Sequence, residues 1–183
     1  MENVILNPVK TPKDKYLQVI ENTQLISIDM IVRVKINNTF KYIVGERKNN
    51  PAKDYLFVPG CRIYKEMKIN NGVRFVLEDE YGLNLDNISN DPKFLGCYEH
   101  IYSNNFSNND FQTHYVVFAY LLTLNENETQ LLNMKKLLSQ HHDIIWLNKN
   151  DIINNEKIHQ YTKNYFCDKS RINAIFRQIE ELD

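Results

Sequence analysis

Several groups in this sequence have the type and spacing to act on a charged substrate. The first is the acidic run Glu78, Asp79 and Glu80. From Lys68 onward apolar residues recur at Ile69, Val73, Val76 and Leu77 with helical spacing, so the run falls on the last turn of an amphipathic helix that Gly82 stops. Just upstream, Pro59-Gly60 turns the backbone and leaves carbonyl groups free. Carboxylates on a helix beside such a turn suit a hard divalent cation, which takes oxygen ligands; the alternative is a solvated helix end. Arg62 follows the turn by two residues, so if the Gly60 carbonyl meets a cation, Arg62 reaches the phosphates that the cation binds. A second arginine, Arg47, sits at a strand end, where a lone arginine is by default a surface residue. Guanidinium in general suits phosphate, because its planar fork binds two oxygens at once and stays charged. Gln140-His141-His142-Asp143 brings imidazole, which near neutral pH can accept a proton from water.

The elements that must position these groups are a mixture of strands and helices. Tyr16 to Asn22 reads as a short helix after an extended lead-in over residues 1 to 14. Gln24 to Ile36 alternates and is β-branched, hence a strand, with Asp29 in its midst. That carboxylate either faces solvent or is buried with a partner, since burying it bare costs several kcal/mol. Asn37-Asn38 has hairpin-turn chemistry, and Phe40 to Glu46 is the return strand that delivers Arg47. Lys53 to Val58 is the strand before Gly60. Two further strands, Phe94 to Tyr102 and Phe111 to Leu124, flank an Asn/Ser-rich loop. His100 and Tyr102 either line a pocket or pack; Tyr115 is core or surface by default. Asn125 to Gln140 has helical spacing at Leu131, Met134, Leu137 and Leu138, and Ile144 to Leu147 is the next strand. Asn148 to Ile158 is an irregular turn and helix. Ser170 to Leu182 reads as a serine-capped amphipathic helix that packs on its own domain or forms a dimer contact.

Composition narrows the partners. At 183 residues and 43% hydrophobic, the chain supports one sizeable core and is read as a single domain. A net charge of −1 and a pI of about 6.5 leave no global field for nucleic acid or an anionic membrane, so an anionic substrate must be held by locally placed arginines. Cys61, Cys97 and Cys167 are widely spaced and odd in number, which reads as reduced intracellular thiols. The N-terminal stretch lacks the pattern of a signal peptide and no apolar run has membrane-spanning length, so the expected location is the cytoplasm. The 25 asparagines are scattered singly or in pairs through structured segments and read as compositional bias.

The residues from Cys61 to Leu83 partly match the box G-x5-E-x7-R-E-U-x-E-E-x-G-U of Nudix hydrolases. Leu77, Asp79, Glu80, Gly82 and Leu83 agree, whereas Cys61, Met67, Phe75 and Val76 replace the first glycine, the first glutamate, the arginine and the next glutamate. The chain more closely resembles the GDP-mannose mannosyl hydrolases within that superfamily. The similarity runs through LISIDMIV, VGERKNNPAKDYLFVPGCRIYKE, HIYSNNFSNNDFQTHYVV and SQHHDIIWL, over roughly Leu17 to Phe166. The resemblance implies an α/β (α+β) fold in which a mixed sheet lies between helices. It also implies hydrolysis of GDP-mannose, or GDP-glucose, to GDP and free sugar by inverting attack of water at the anomeric carbon. Mg²⁺, or Mn²⁺ in its place, would be held by the Gly60 carbonyl, Glu80 and Gln140, with His141 as general base and His142 the competing assignment. Arg47 and Arg62 would contact the diphosphate, Asp29 the sugar, His100 and Tyr102 the sugar or base, and Tyr115 the leaving group. The family further implies a homodimer. It keeps an arginine where this chain has Phe75, and Arg74, one position away, points about 100° around the helix from it. Two other readings of the same residues are a Nudix pyrophosphatase that attacks phosphorus and a non-catalytic nucleotide-sugar-binding module.

Overall fold

The structure is a computed structural model describing residues 8–9, 11–107, 110–167 and, as backbone, 174–177. Its centre is a mixed sheet. Strand β1 (Leu25–Ile36) turns through Asn37 and Asn38, both at positive φ (48° and 62°), into β2 (Thr39–Arg47), the geometry a tight hairpin needs and asparagine tolerates. Short strands β3 (Leu56–Phe57) and β4 (Gly60–Arg62) pair with β2 and β1. Strand β5 (Lys93–Tyr102) pairs antiparallel with β6 (Thr113–Leu124), and β6 runs parallel to β1. With β8 (Ala174–Arg177) on the outer edge of β5, the order is β3-β2-β1-β6-β5-β8, and β7 (His141–Leu147) is added on β2.

Period-two alternation sends successive β1 side chains to opposite faces. Ile28, Met30 and Val32 join Val73, Val76, Leu77, Tyr81 and Leu137 on one face, contributed by α2 (Ile69–Val76) and its continuation to Tyr81 and by α3 (Met134–Gln140). Ile31 joins Tyr42, Val117 and Leu121 on the other, beneath α4 (Lys149–Asn154) and α5 (Gln160–Phe166), which supply Ile152, Tyr165 and Phe166. The expected sheet between helices is therefore present. Asp29 shares the parity of Ile31, so the same alternation aims its carboxylate at α5.

Three expectations need correction. The segment expected as a helix over Ser170 to Leu182 contains strand β8 (Ala174–Arg177), antiparallel to β5; the rest of that segment lies outside the described residues, as do residues 1–7 of the lead-in. The outer edge of β5 carries peptide groups that need partners, and four residues of extended chain meet that demand where helical spacing alone meets none of it. The strand expected over Lys53 to Val58 shrinks to Leu56–Phe57 because Ala52 and Asp54 both sit at positive φ, 61° and 66°. The lead-in expected through residue 14 gives way earlier to α1 (Lys13–Asn22).

Candidate active site

A cleft of about 520 Å³ has Arg47, Gly60, Arg62, Glu80, Tyr115 and Gln140 among its walls. A smaller recess of about 70 Å³ adjoins it, sharing Arg47, Gly60, Arg62 and Tyr115 and adding Asp29, His100 and Tyr102. Asp29, Arg47, Gly60, Arg62, Glu80, His100, Tyr102, Tyr115 and Gln140, all given roles by the resemblance, thus line one continuous cavity.

The acidic end of the cleft is assembled by helix termini. α2 continues as a wider π turn, Leu77–Tyr81, and stops at Gly82 in the left-handed conformation (φ 67°). Asn133, the N-cap of α3, packs on Gly82 and donates its backbone N–H to the Tyr81 carbonyl (2.8 Å), while Lys136 Nζ reaches the Glu78 carbonyl (2.6 Å). Docked at that end, α3 carries Gln140 back to Glu80, and the Gln140 amide donates to Glu80 Oε1 at 2.8 Å. Glu80 is 1% exposed. Burial, reinforced by neighbouring Asp79, pushes its carboxyl up to about 8, with Arg47 and the Gln140 hydrogen bond opposing.

Gly60 joins the two ends. Met30 N donates to the Pro59 carbonyl (3.1 Å) and Ile63 N to the Ile26 carbonyl (2.8 Å), which leaves the Asp29–Gly60 pair in the non-hydrogen-bonded register and turns the Gly60 carbonyl away from β1. Only glycine fits: a Cβ would lie 2.4 Å from the Ile28 carbonyl oxygen and 2.6 Å from Asp29 Oδ1. The chemistry of the donor set, an exposed amide, a buried carboxyl and a free carbonyl, is all oxygen and fits a hard divalent cation.

At the other end Asp29 is buried, and Tyr165 donates to its Oδ2 at 2.6 Å. Burial raises this carboxyl to about 6, with the Tyr165 hydrogen bond and Arg47 opposing. His100 Nε2 lies 3.3 Å from the same Tyr165 hydroxyl, and its ring stacks on Tyr161 with centroids 4.2 Å apart, so His100 both lines the recess and packs. Burial, with His159 and Arg47 beyond, lowers it to about 3 and keeps it neutral. Tyr102 packs edge-on against Tyr115 (6.2 Å). Arg47 bridges the ends: its guanidinium lies over Phe57 at 5.6 Å, and its buried Nε has no hydrogen-bond partner among the described residues.

His141 stands apart. The residue is 4% exposed and does not line the cavity, and its ring packs on Gly45, where a Cβ would lie 2.4 Å from Nδ1. Burial, with Arg47 next, lowers it to about 4. It opens β7 rather than preceding it, opposite Arg47, at a register shift that leaves His142 and Asp143 exposed. The residues that sequence reasoning passed over are Tyr165, Tyr16 and Tyr64. Tyr165 lies 136 residues from the carboxylate it holds, and no local pattern marks such a partner.

No protein-family model matches the chain. Over 122 residues, 67% of this chain and 73% of the other, it is 25% identical to the low-salt glycan biosynthesis protein Agl8 of Haloferax volcanii. The fold superposes on the MutT Nudix hydrolase of Burkholderia pseudomallei with a TM-score of 0.57 and 15% identity, covering 79% of this chain and 97% of that one. It superposes on the Nudix domain of Shewanella oneidensis NrtR, solved with ADP ribose, with a TM-score of 0.52 and 15% identity, covering 78% and 87%. Among the described residues no helix is long and apolar enough to cross a membrane. The sheet, its two helical layers and these neighbours together identify the architecture as the Nudix fold.

Proposed function

We propose that this protein hydrolyses a nucleotide sugar, and that its substrate is a GDP-sugar, GDP-mannose or GDP-glucose, cleaved at the anomeric carbon to GDP and free sugar. The observation that carries this reading is the single cavity with a buried, tyrosine-held carboxylate at one end, an oxygen donor set at the other and two arginines between. A sugar presents hydroxyls to the first, and a diphosphate presents negative charge to the rest. The resemblance to GDP-mannose mannosyl hydrolases and the glycan-biosynthesis name of the Agl8 relative support the sugar half; the NrtR domain, solved with ADP ribose, supports the diphosphate half.

Glu80, Gln140 and the Gly60 carbonyl would hold Mg²⁺, or Mn²⁺ in its place, and the cation would supply electrophilic charge to the departing diphosphate. Arg47 and Arg62 neutralise the same developing charge with fixed N–H donors. Asp29 Oδ1, its other oxygen occupied by Tyr165, accepts from a sugar hydroxyl, and Tyr115 orients the phosphate. Water forms a bond to the anomeric carbon as the carbon–oxygen bond to the diphosphate breaks, and the water proton goes to His141. That last step requires the imidazole to turn off Gly45 into the cleft that its neighbour Gln140 and its strand partner Arg47 already line. A second reading, attack at phosphorus, is favoured by the resting position of His141.

The test is a panel of nucleotide sugars incubated with Mg²⁺. GDP and free mannose or glucose are the expected products. Release of a nucleoside monophosphate and a sugar phosphate would establish the second reading, and binding without turnover would establish a non-catalytic module.

A further inference from the structure

At the arginine side of the cleft, one aromatic column links three separate segments of the chain. The Arg62 guanidinium carbon lies 4.0 Å from the ring centroid of Tyr16, on α1, and 4.3 Å from that of Tyr64, just past β4. Tyr16 in turn stacks on Phe106, from the loop between β5 and β6, with centroids 5.5 Å apart and planes 22° from parallel. Its hydroxyl is close enough to that of Tyr115, another wall of the cleft, for the two to influence each other's ionisation, and the Tyr64 hydroxyl is under the same influence from Arg62. Tyr16 therefore touches both an arginine and a tyrosine that face the cavity while standing in its wall itself.

An arginine on a short strand beside an open cleft normally samples many rotamers, and a guanidinium held against aromatic faces does not. Its N–H edge is then the part left to meet a ligand, and that edge matches two oxygens of adjoining phosphoryl groups better than those of one. We propose that α1 is part of the binding site, and that Tyr16, through its ring on Arg62, is a positioning residue that makes the cleft selective for a diphosphate over a monophosphate. This deepens the nucleotide-sugar reading and rests on it.

Calorimetric titration with GDP and with GMP, in buffer containing Mg²⁺, tests it in the wild type, Tyr16→Leu and Tyr16→Phe, with thermal melting of each. Tyr16→Leu is expected to weaken GDP binding about tenfold, the size of one to two cation–π contacts, while GMP changes less than about twofold. Tyr16→Phe keeps the ring and is expected to stay within about threefold of wild type for both. Equal weakening of GDP and GMP by Tyr16→Leu, or none, overturns the proposal. So does a Tyr16→Phe loss as large as that of Tyr16→Leu, or a wild type that fails to prefer GDP. If GDP binding behaves as expected but no GDP-sugar is turned over, the hydrolase reading fails and the positioning role stands.

Discussion

The two ends of the cavity each bury a carboxylate, and they treat it differently. Asp29 is met from within the fold by the hydroxyl of Tyr165, a donor to its charged form, and its acidity stays near 6. Glu80 is met by a neutral amide and has Asp79 beside it, and its carboxyl rises to about 8. At neutral pH the first is an anion ready to accept from a hydroxyl. The second becomes an anion when positive charge arrives, because a cation reverses the effects of burial and like charge. On the proposed reading the difference separates the ends: Asp29 would meet the neutral, hydroxyl-bearing half of a substrate, and Glu80 the cation and the anionic half.

The largest break in this contrast is Glu80→Gln. Activity with Mg²⁺ is expected to fall about a thousandfold, since the carboxylate at the cation is lost. Stability should move the other way. Glu80 in the folded chain holds a proton that the unfolded chain releases above about pH 4.5, so its contribution to stability is full below that pH and is lost as pH rises through about 8. In metal-free buffer at pH 7, Glu80→Gln is therefore expected to raise unfolding stability by roughly 1–3 kcal/mol, read as a higher thermal midpoint. A variant that is inactive and less stable would contradict a Glu80 that burial keeps protonated until a cation arrives.

His141→Gln comes next, with an expected drop of about a hundredfold, the usual worth of a general base. His142→Gln, at an exposed position, is expected to stay within about twofold. Gly45→Ala sharpens the pair: its Cβ cannot coexist with the imidazole as placed, so it drives the ring off its buried seat. Turnover within about threefold of wild type is expected, with the acid limb of the pH–rate profile moved up from about 4 toward ordinary histidine values. An inactive Gly45→Ala that is folded and binds GDP would show that the buried position is the working one.

Tyr165→Phe is the mildest change. It leaves Asp29 Oδ2 without its donor and is expected to cost about 1–3 kcal/mol of stability at pH 7 and about tenfold in kcat/KM. Because that hydrogen bond favours the charged carboxylate, its loss pushes the Asp29 carboxyl further up from about 6 and makes it a weaker acid, so the deficit should shrink at pH 8 and widen at pH 6.

Much of this arrangement was legible in the sequence, for physical reasons. The acidic run, the glycine stop and the Pro-Gly turn are local patterns, and helix and strand periods report faithfully where one face is buried, as in α2 and β1. Asn37-Asn38 announced its turn because few other residues tolerate consecutive positive φ. Convergence was a different matter. The meeting of Gln140 with Glu80 depends on how Asn133 seats α3 on Gly82, and the protection of Asp29 depends on a helix 136 residues away. The segment at Ala174–Arg177 misled because its apolar spacing fits a helix, while the edge of β5 that it satisfies is invisible in one dimension.

The position of attack separates the two reactions most directly, and hydrolysis of GDP-mannose in ¹⁸O-labelled water reads it. If, as proposed, Asp29 holds the sugar end while Glu80 and the arginines clamp the diphosphate end, the label is predicted to appear in the released mannose and to be absent from GDP. Label in a phosphate product would place the reaction at phosphorus and contradict the assignment of sugar to the Asp29 end and leaving diphosphate to the Glu80 end of the cavity.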